Sequence, residues 1–137
     1  KFHVCRPGIA VDYTGKTQYL FKINKGIFSA RDNKLVNASI SDDKKRIPFS
    51  NMIYFGDGDT DVPCMKIVGM FGGQSIAVYN PSDERKKAAA LKLKHQGRVG
   101  FSIPAVYTED SKAFRLVKAI IDKIVADHEL ERLKKIA

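Results

Sequence analysis

Residues 52–61 read MIYFGDGDTD, and this stretch decides the predicted fold. The continuous apolar run over 52–55 is typical of a short strand that is covered on both faces, as the strands of parallel sheets are. A glycine-aspartate-glycine sequence follows at once and predicts the turn that ends the strand. The sequence therefore predicts a buried strand that delivers an acidic loop, residues 56–61, to one edge of a sheet.

Beyond this stretch the apolar periodicity alternates between helix-like and strand-like segments. Such alternation predicts an α/β fold, a Rossmann-like parallel sheet with right-handed crossovers and flanking helices. Ligands of such sheets bind at the carboxyl ends of the strands, where the acidic loop would lie. The predicted elements are a helix from about Pro63 to Phe71 ended by Gly72 and Gly73, a strand over 75–79, a helix over 83–95 capped by Ser82, a strand over 99–103, and a helix from Ser111 that buries Phe114, Val117, Ile120, Ile121 and Ile124.

The amino-terminal part is predicted to contain one helix. Over Lys16–Lys25 the apolar side chains fall on one helical face, and Gly26 is placed to end the helix. Thr14 is predicted to cap its start. The flanking segments are predicted to hold a brief strand, from the alternation of Ile9, Val11 and Tyr13, and a weakly structured surface connection over 29–46.

Length and composition favour one folded domain over residues 1–137, with 44% hydrophobic residues. No segment has the roughly 20 apolar residues of a membrane span, and the first ten residues lack the apolar core of a signal peptide. A cytoplasmic protein without a membrane partner is therefore expected. Lys1 in place of a methionine indicates a processed, tagged or truncated start. Cys5 and Cys64 are too isolated to indicate a zinc site or a disulfide framework.

The net charge of +9 would suit an acidic partner, nucleic acid included. The excess charge is spread along the chain at helical spacing or in turns, which favours solvated faces over a binding patch. This spread argues against a basic module that binds nucleic acid, which is kept as an alternative. Its contacts would come from Arg85, Lys86, Lys87, Lys92 and Lys94.

The acidic loop places three carboxylates, those of Asp57, Asp59 and Asp61, within five residues. Like charges this close repel one another unless a cation neutralises them, and Mg²⁺ takes oxygen ligands from carboxylates and substrate phosphates. The other interpretation is a solvated turn whose aspartates cap the next helix and interact with its dipole. Spacing alone leaves both interpretations open.

Two other motifs are excluded because this chain lacks residues that they require. A calcium loop that starts at Asp57 would need glycine where Val62 stands and an acidic residue where Val68 stands. A phosphate-binding P-loop that ends at Lys16 would need glycine where Ala10 stands. The acidic loop and Lys16 therefore need another explanation.

Residues 53–65, IYFGDGDTDVPCM, resemble the fourth motif of the haloacid dehalogenase superfamily, in which an apolar strand delivers a GDGxxD sequence into the active site. Residues 72–79 resemble the strand that follows in phosphatases of this superfamily, and residues 13–18 resemble the region of their third-motif lysine. The resemblance extends from about Val11 to Ile124. It implies one partial core domain, with the third-motif region over 11–26, the fourth motif over 51–71, and the terminal strands and helices over 73–130.

The resemblance also implies a function, the Mg²⁺-dependent hydrolysis of phosphate monoesters. Mg²⁺ would be bound or oriented by Asp57 and Asp61, whereas Asp59 stands at a variable position. The third-motif lysine, which neutralises the phosphoryl group, would be Lys16, with Lys25 as the alternative. The substrate would be a phosphorylated small molecule or protein.

The chain departs from the family pattern because it contains no DxDx(T/V) strand to supply the aspartate nucleophile. That strand, the second motif and any cap domain are expected upstream of Lys1. The chain alone is then expected to be inactive, and the apolar strand edge beside residues 52–55 would be open to self-association. The alternative is a non-catalytic structural or regulatory domain that keeps the fold without the chemistry.

Overall fold

A computed structural model describes most of the chain, in three ranges: 10–29, 34–41 and 44–137. The chain divides into two compact units, Lys1–Pro48 and Phe49–Ala137. The predictions for Cys5 and Ile9 lie outside the described residues, as does part of the predicted connection over 29–46.

The first unit contains one α-helix in its described residues, α1 over Lys16–Lys25, which confirms the prediction. The helix ends as expected at Gly26, whose φ of 71° is in the left-handed region that glycine adopts without strain. The N–H of Ile27 then donates to the carbonyl of Lys22 over 2.9 Å, which satisfies a carbonyl of the last turn.

The predicted cap of α1 is wrong, because Thr14 makes no capping hydrogen bond and the cap position is Gly15. The hydroxyl of Thr14 donates instead to Asp12 Oδ1 over 2.8 Å, and the N–H of Gly15 donates to the same oxygen over 2.7 Å. These two bonds lower the pKa of the Asp12 carboxyl. Asp12 therefore organises the turn that precedes the helix.

The packed face of α1 is less apolar than predicted. Leu20 is buried, but Ile23 is half exposed, and the polar Asn24 is buried in its place. Asn24 Nδ2 donates to the carbonyl of Ile47 over 2.8 Å, and the N–H of Ile47 donates to the carbonyl of Asn24 over 3.2 Å. Hydrogen bonding therefore decides which face of the helix packs inside this unit.

The flanks of α1 are irregular. Residues 10–13 form no strand, so the predicted alternation is wrong where it can be seen, and Val11 and Tyr13 are exposed. The described residues of this unit offer no other strand with which an extended segment could pair. The described parts of the connection over 29–46 hold a 3-10 turn at Leu35–Asn37 and no α-helix or strand, as predicted.

The second unit alternates strands and helices along the chain. Its elements are β1 (Ile53–Gly56), α2 (Val62–Met70), β2 (Gln74–Tyr79), α3 (Glu84–His95), β3 (Phe101–Pro104) and α4 (Lys112–Ile136). The strands form a parallel sheet in the order β1-β2-β3, with Phe55 beside Ile76 and Val78 beside Ile103. The α/β prediction is confirmed, and the arrangement is compatible with a Rossmann-like sheet.

Both faces of this sheet are covered. Alternate side chains of β2 point to opposite faces, and each face packs against other elements. Ala77 packs with residues of α2 and α3, among them Met65 and Leu93. Ile76 and Val78 pack on the other face with residues of β3 and α4. The continuous apolar sequence of β2 is therefore explained by burial on two sides.

The predicted apolar stripe of α4 is only partly buried. Ile120 is 5% exposed, whereas Phe114 and Ile121 are 44% and 49% exposed, so the prediction is wrong for those two side chains. Phe114 and Ile121 directly follow the buried Ala113 and Ile120, so each lies about 100° around the helix from its buried neighbour. The sheet therefore covers a narrower side of α4 than the predicted stripe.

The starts of α3 and α4 are capped by side chains. The predicted cap Ser82 is wrong, because Asp83 Oδ1 accepts the N–H groups of Arg85 and Lys86, each over 3.0 Å. Ser82 lies one position too early, in the preceding turn, where its N–H donates to the side chain of Asn80. Ser111 caps α4 by accepting the N–H of Phe114 over 3.1 Å.

The outer edge of β1 has no neighbouring strand among residues 44–137. Its predicted self-association with another chain remains a prediction. No helix within the described part of the chain is both long enough and apolar enough to cross a membrane.

Candidate functional site at the carboxyl ends of the strands

A cavity of about 510 Å³ opens at the carboxyl ends of all three strands. Its walls include Gly56 and Asp57 after β1, Tyr79 and Asn80 at the end of β2, and Ala105 after β3. This is the position where ligands bind in parallel α/β sheets. The acidic loop lies where the sequence predicted it, and it forms one wall of the cavity.

Asp61 is the buried carboxylate of the loop, with 6% of the residue exposed. Its Oδ1 accepts the hydroxyl proton of Tyr54 over 2.8 Å, and its Oδ2 accepts the backbone N–H of Asp57 over 3.2 Å. The N–H of Asp61 itself donates to the carbonyl of Gly58 over 3.1 Å, within the 3-10 turn Asp59–Asp61. The Asp61 carboxylate therefore ties β1 to the loop.

Gly56 makes this arrangement possible because it leaves room for Asp61. A Cβ added to Gly56 would lie 2.5 Å from the Cβ of Asp61 and 2.5 Å from the terminal methyl carbon of Met65. Gly58 is different, since a Cβ added there would meet no atom within 4 Å. The first glycine of the motif is required by packing, whereas the second has open space around it.

Tyr54 is the hydrogen-bond donor beneath the loop. Burial of its hydroxyl raises the pKa of Tyr54 above its ordinary value, and the hydrogen bonds with Asp61 and Cys64 raise it further. The hydroxyl therefore carries its proton at neutral pH and can act as a hydrogen-bond donor. The phenol of Tyr54 is therefore the donor of its hydrogen bond to Asp61, and the carboxyl oxygen is the acceptor.

The other two aspartates of the loop are exposed. Asp57 lines the large cavity and also a smaller one of about 90 Å³ on the α3 side, which Asp59 and Lys86 line as well. Asp59 does not line the large cavity. Of the two exposed aspartates, Asp57 therefore lines the cavity at the carboxyl ends of the strands, together with the buried Asp61.

These residues fit one part of a magnesium site. The described ranges contain no group of three or more histidine, cysteine, aspartate or glutamate side chains arranged to hold a metal ion. Mg²⁺ usually keeps several waters and takes one or two carboxylates together with substrate phosphate. Asp57 can supply such a carboxylate from an exposed position. Asp61 is buried but lines the same cavity, and the hydrogen bond on each of its oxygens does not by itself exclude it as a second ligand, because each oxygen has two lone pairs.

The predicted lysines belong to the first unit. Lys16 is the first residue of α1, and Lys25 is its last. The ammonium group of Lys25 donates to the carbonyls of Val36 and Ala38, the latter over 2.6 Å. The assignment of a lysine to the cavity in the second unit therefore remains a prediction.

Sequence reasoning missed Tyr54 and the aromatic rim of the cavity. The rings of Phe55 and Tyr107 meet edge to face with centroids 6.5 Å apart, and both side chains line the cavity. A tyrosine hydroxyl inside an apolar run is a signal for a buried hydrogen-bond partner, since a buried phenol usually finds one. Nothing in the sequence indicated the contact of Phe55 with Tyr107, which are far apart in the chain.

Comparison with known proteins finds a relative of this chain. Over 110 residues the chain is 33% identical to an uncharacterized protein of Borreliella burgdorferi, and the match covers 78% of this chain and 35% of that protein. The chain thus spans about a third of the length of the relative. No family model matches the chain. No solved structure matches it either.

Proposed function

We propose that this chain supplies the metal-binding and phosphate-handling part of a magnesium-dependent phosphohydrolase of the haloacid dehalogenase type. The observation that carries the proposal is the position of Asp57. Its exposed carboxylate faces a cavity at the carboxyl ends of three parallel strands, and its backbone is held by the buried Asp61. The GDGxxD sequence on an apolar strand supports the same family.

Each residue of the proposed site has a distinct role. Asp57 would hold Mg²⁺, and Asp61 would keep the loop in the conformation that points Asp57 at the cavity. When bound, Mg²⁺ supplies charge neutralisation at a phosphoryl oxygen of the substrate. The net charge of +9 would raise the local concentration of anionic phosphate monoesters around the protein.

The proposal assigns the nucleophile to a part of the complete protein outside these 137 residues, because they contain no DxDx(T/V) sequence. The test is hydrolysis of p-nitrophenyl phosphate by the complete gene product, with Mg²⁺ and with EDTA. The proposal expects turnover that needs Mg²⁺ and that disappears in EDTA. A complete gene product that is folded and inert under both conditions would overturn it in favour of a non-catalytic domain.

Lys16 is proposed to neutralise the phosphoryl group, with Lys25 as the alternative. The ammonium group of Lys25 donates to the carbonyls of Val36 and Ala38 within the first unit. In the complete gene product, Lys16→Ala is expected to lower kcat about 100-fold. Lys25→Ala is expected to lower the thermal midpoint instead, and the opposite pattern would transfer the role to Lys25.

A further inference from the structure

Tyr54 and Asp57 are linked through a single carboxylate. The phenol of Tyr54 donates to Oδ1 of Asp61, and the backbone N–H of Asp57 donates to Oδ2 of the same group. Tyr54 lies within β1, whereas Asp57 is the first residue after that strand. The carboxylate therefore joins the rigid strand to the backbone of the residue that faces the cavity.

The orientation of the Asp61 carboxylate decides whether this link holds. A carboxylate can rotate about its Cβ–Cγ bond, and the Tyr54 hydroxyl fixes that rotation by holding one oxygen. The second oxygen is then aimed at the N–H of Asp57. Because Gly56 packs directly against the Cβ and Cγ atoms of Asp61, the carboxylate cannot relieve a lost bond by moving toward the strand.

We propose that Tyr54 is a positioning residue of this site, which sets the placement of Asp57 through Asp61. Removal of its hydroxyl would leave the aromatic ring packed in the core while removing the bond that holds Oδ1 of Asp61. The backbone of Asp57 would then lose a fixed hydrogen-bond acceptor, and its carboxylate would no longer be held toward the cavity. The proposal rests on the proposed function only in taking Asp57 as the metal-binding group.

The test compares Tyr54→Phe with the unaltered chain by two measurements. The rate of hydrogen exchange at the Asp57 amide reports its hydrogen bond to Asp61 without any metal. In Tyr54→Phe we expect this rate to rise about tenfold. Mn²⁺ is the probe for the metal site, and the paramagnetic broadening it causes reports the affinity of the site for the ion. In Tyr54→Phe we expect this affinity to fall about tenfold, as it does when a residue that supports a metal ligand is removed.

Val99→Ala is the matched control, because Val99 is buried in the same core cluster against which Tyr54 packs and is not bonded to Asp61. It is expected to lower the thermal midpoint while leaving both measurements unchanged. If Val99→Ala accelerates exchange at Asp57 as much as Tyr54→Phe does, the effect is general loss of stability and the proposal is overturned. Unchanged exchange in Tyr54→Phe would also overturn it.

Asp61→Asn provides a second variant should Tyr54→Phe fold poorly. It keeps an oxygen that can accept from the Tyr54 hydroxyl but replaces the acceptor of the Asp57 N–H by an amide NH2 group, which cannot accept a hydrogen bond. We therefore expect faster hydrogen exchange at the Asp57 amide. Asp57→Asn separates the two proposals. Unchanged Mn²⁺ broadening in Asp57→Asn would remove the metal assignment of the proposed function, whereas the exchange measurement would still decide the role of Tyr54.

Discussion

Asp61 packs so closely against Gly56 that a Cβ added to the glycine would lie 2.5 Å from the Cβ of the aspartate. The Gly56→Ala variant must therefore displace Asp61 or the strand, and we expect it to lower the free energy of unfolding by about 1–3 kcal/mol. Urea denaturation measures this change.

The control for that prediction is Gly58→Ala. Gly58 has an extended backbone with φ of −157°, and a Cβ there would meet no atom within 4 Å. Its free energy of unfolding should therefore stay within about 0.5 kcal/mol of that of the unaltered chain. Equal losses in the two variants would show that Asp61 does not pack against Gly56 in this way.

Met65 and Met70 lie on the same helix, α2, in opposite environments. Met65 is fully buried between the helix and the sheet, and Met70 is 70% exposed. Met65→Ala should lower the free energy of unfolding by about 2–5 kcal/mol because it leaves a cavity in the core. Met70→Ala should change it by less than about 0.5 kcal/mol. Equal losses in the free energy of unfolding of the two variants, measured by thermal or urea denaturation, would contradict this packing.

The cap of α3 can be assigned by two neighbouring substitutions. Asp83→Ala removes the acceptor of two backbone N–H groups, so we expect it to lower the free energy of unfolding by about 1 kcal/mol. Ser82→Ala removes a hydroxyl that is not the cap and should be close to neutral. A larger loss in Ser82→Ala, measured by urea denaturation, would restore the serine as the cap.

The outer edge of β1 is predicted to support self-association of this chain, measured by light scattering over a range of concentrations. Phe55 lies in β1 and is 37% exposed, so Phe55→Lys should shift the chain toward monomer by placing a charge beside the edge. Leu91→Lys, at a site on α3 with 38% exposure, should leave the association unchanged. A monomer at every concentration in the unaltered chain would contradict the prediction.

The order of elements in the second unit followed from apolar periodicity, because strands covered on both faces and helices covered on one have different periods. The helix caps did not follow, since adjacent polar residues such as Ser82 and Asp83 are equally good candidates until the backbone path is known. The exposure of Phe114 and Ile121 could not be predicted either. It depends on the width of the sheet beneath α4, which no local pattern encodes.

The position of the acidic loop at the carboxyl ends of the strands was predictable. The sequence placed Asp57 after a buried strand, and the structure places it at the cavity. The different environments of Asp57 and Asp61 were not predictable, because both are aspartates of one short loop. The two environments differ because the loop turns the Asp61 side chain toward the hydroxyl of Tyr54 in β1.

The most direct test of the central claim is the rate of p-nitrophenyl phosphate hydrolysis in Mg²⁺ by Asp57→Asn and Asp59→Asn variants of the complete gene product. Both aspartates are exposed on one loop, but only Asp57 lines the cavity at the strand ends. We predict that Asp57→Asn lowers the rate by at least about 100-fold, as loss of a metal-binding carboxylate would, whereas Asp59→Asn keeps most of it. A folded Asp57→Asn variant with an unchanged rate would contradict the claim.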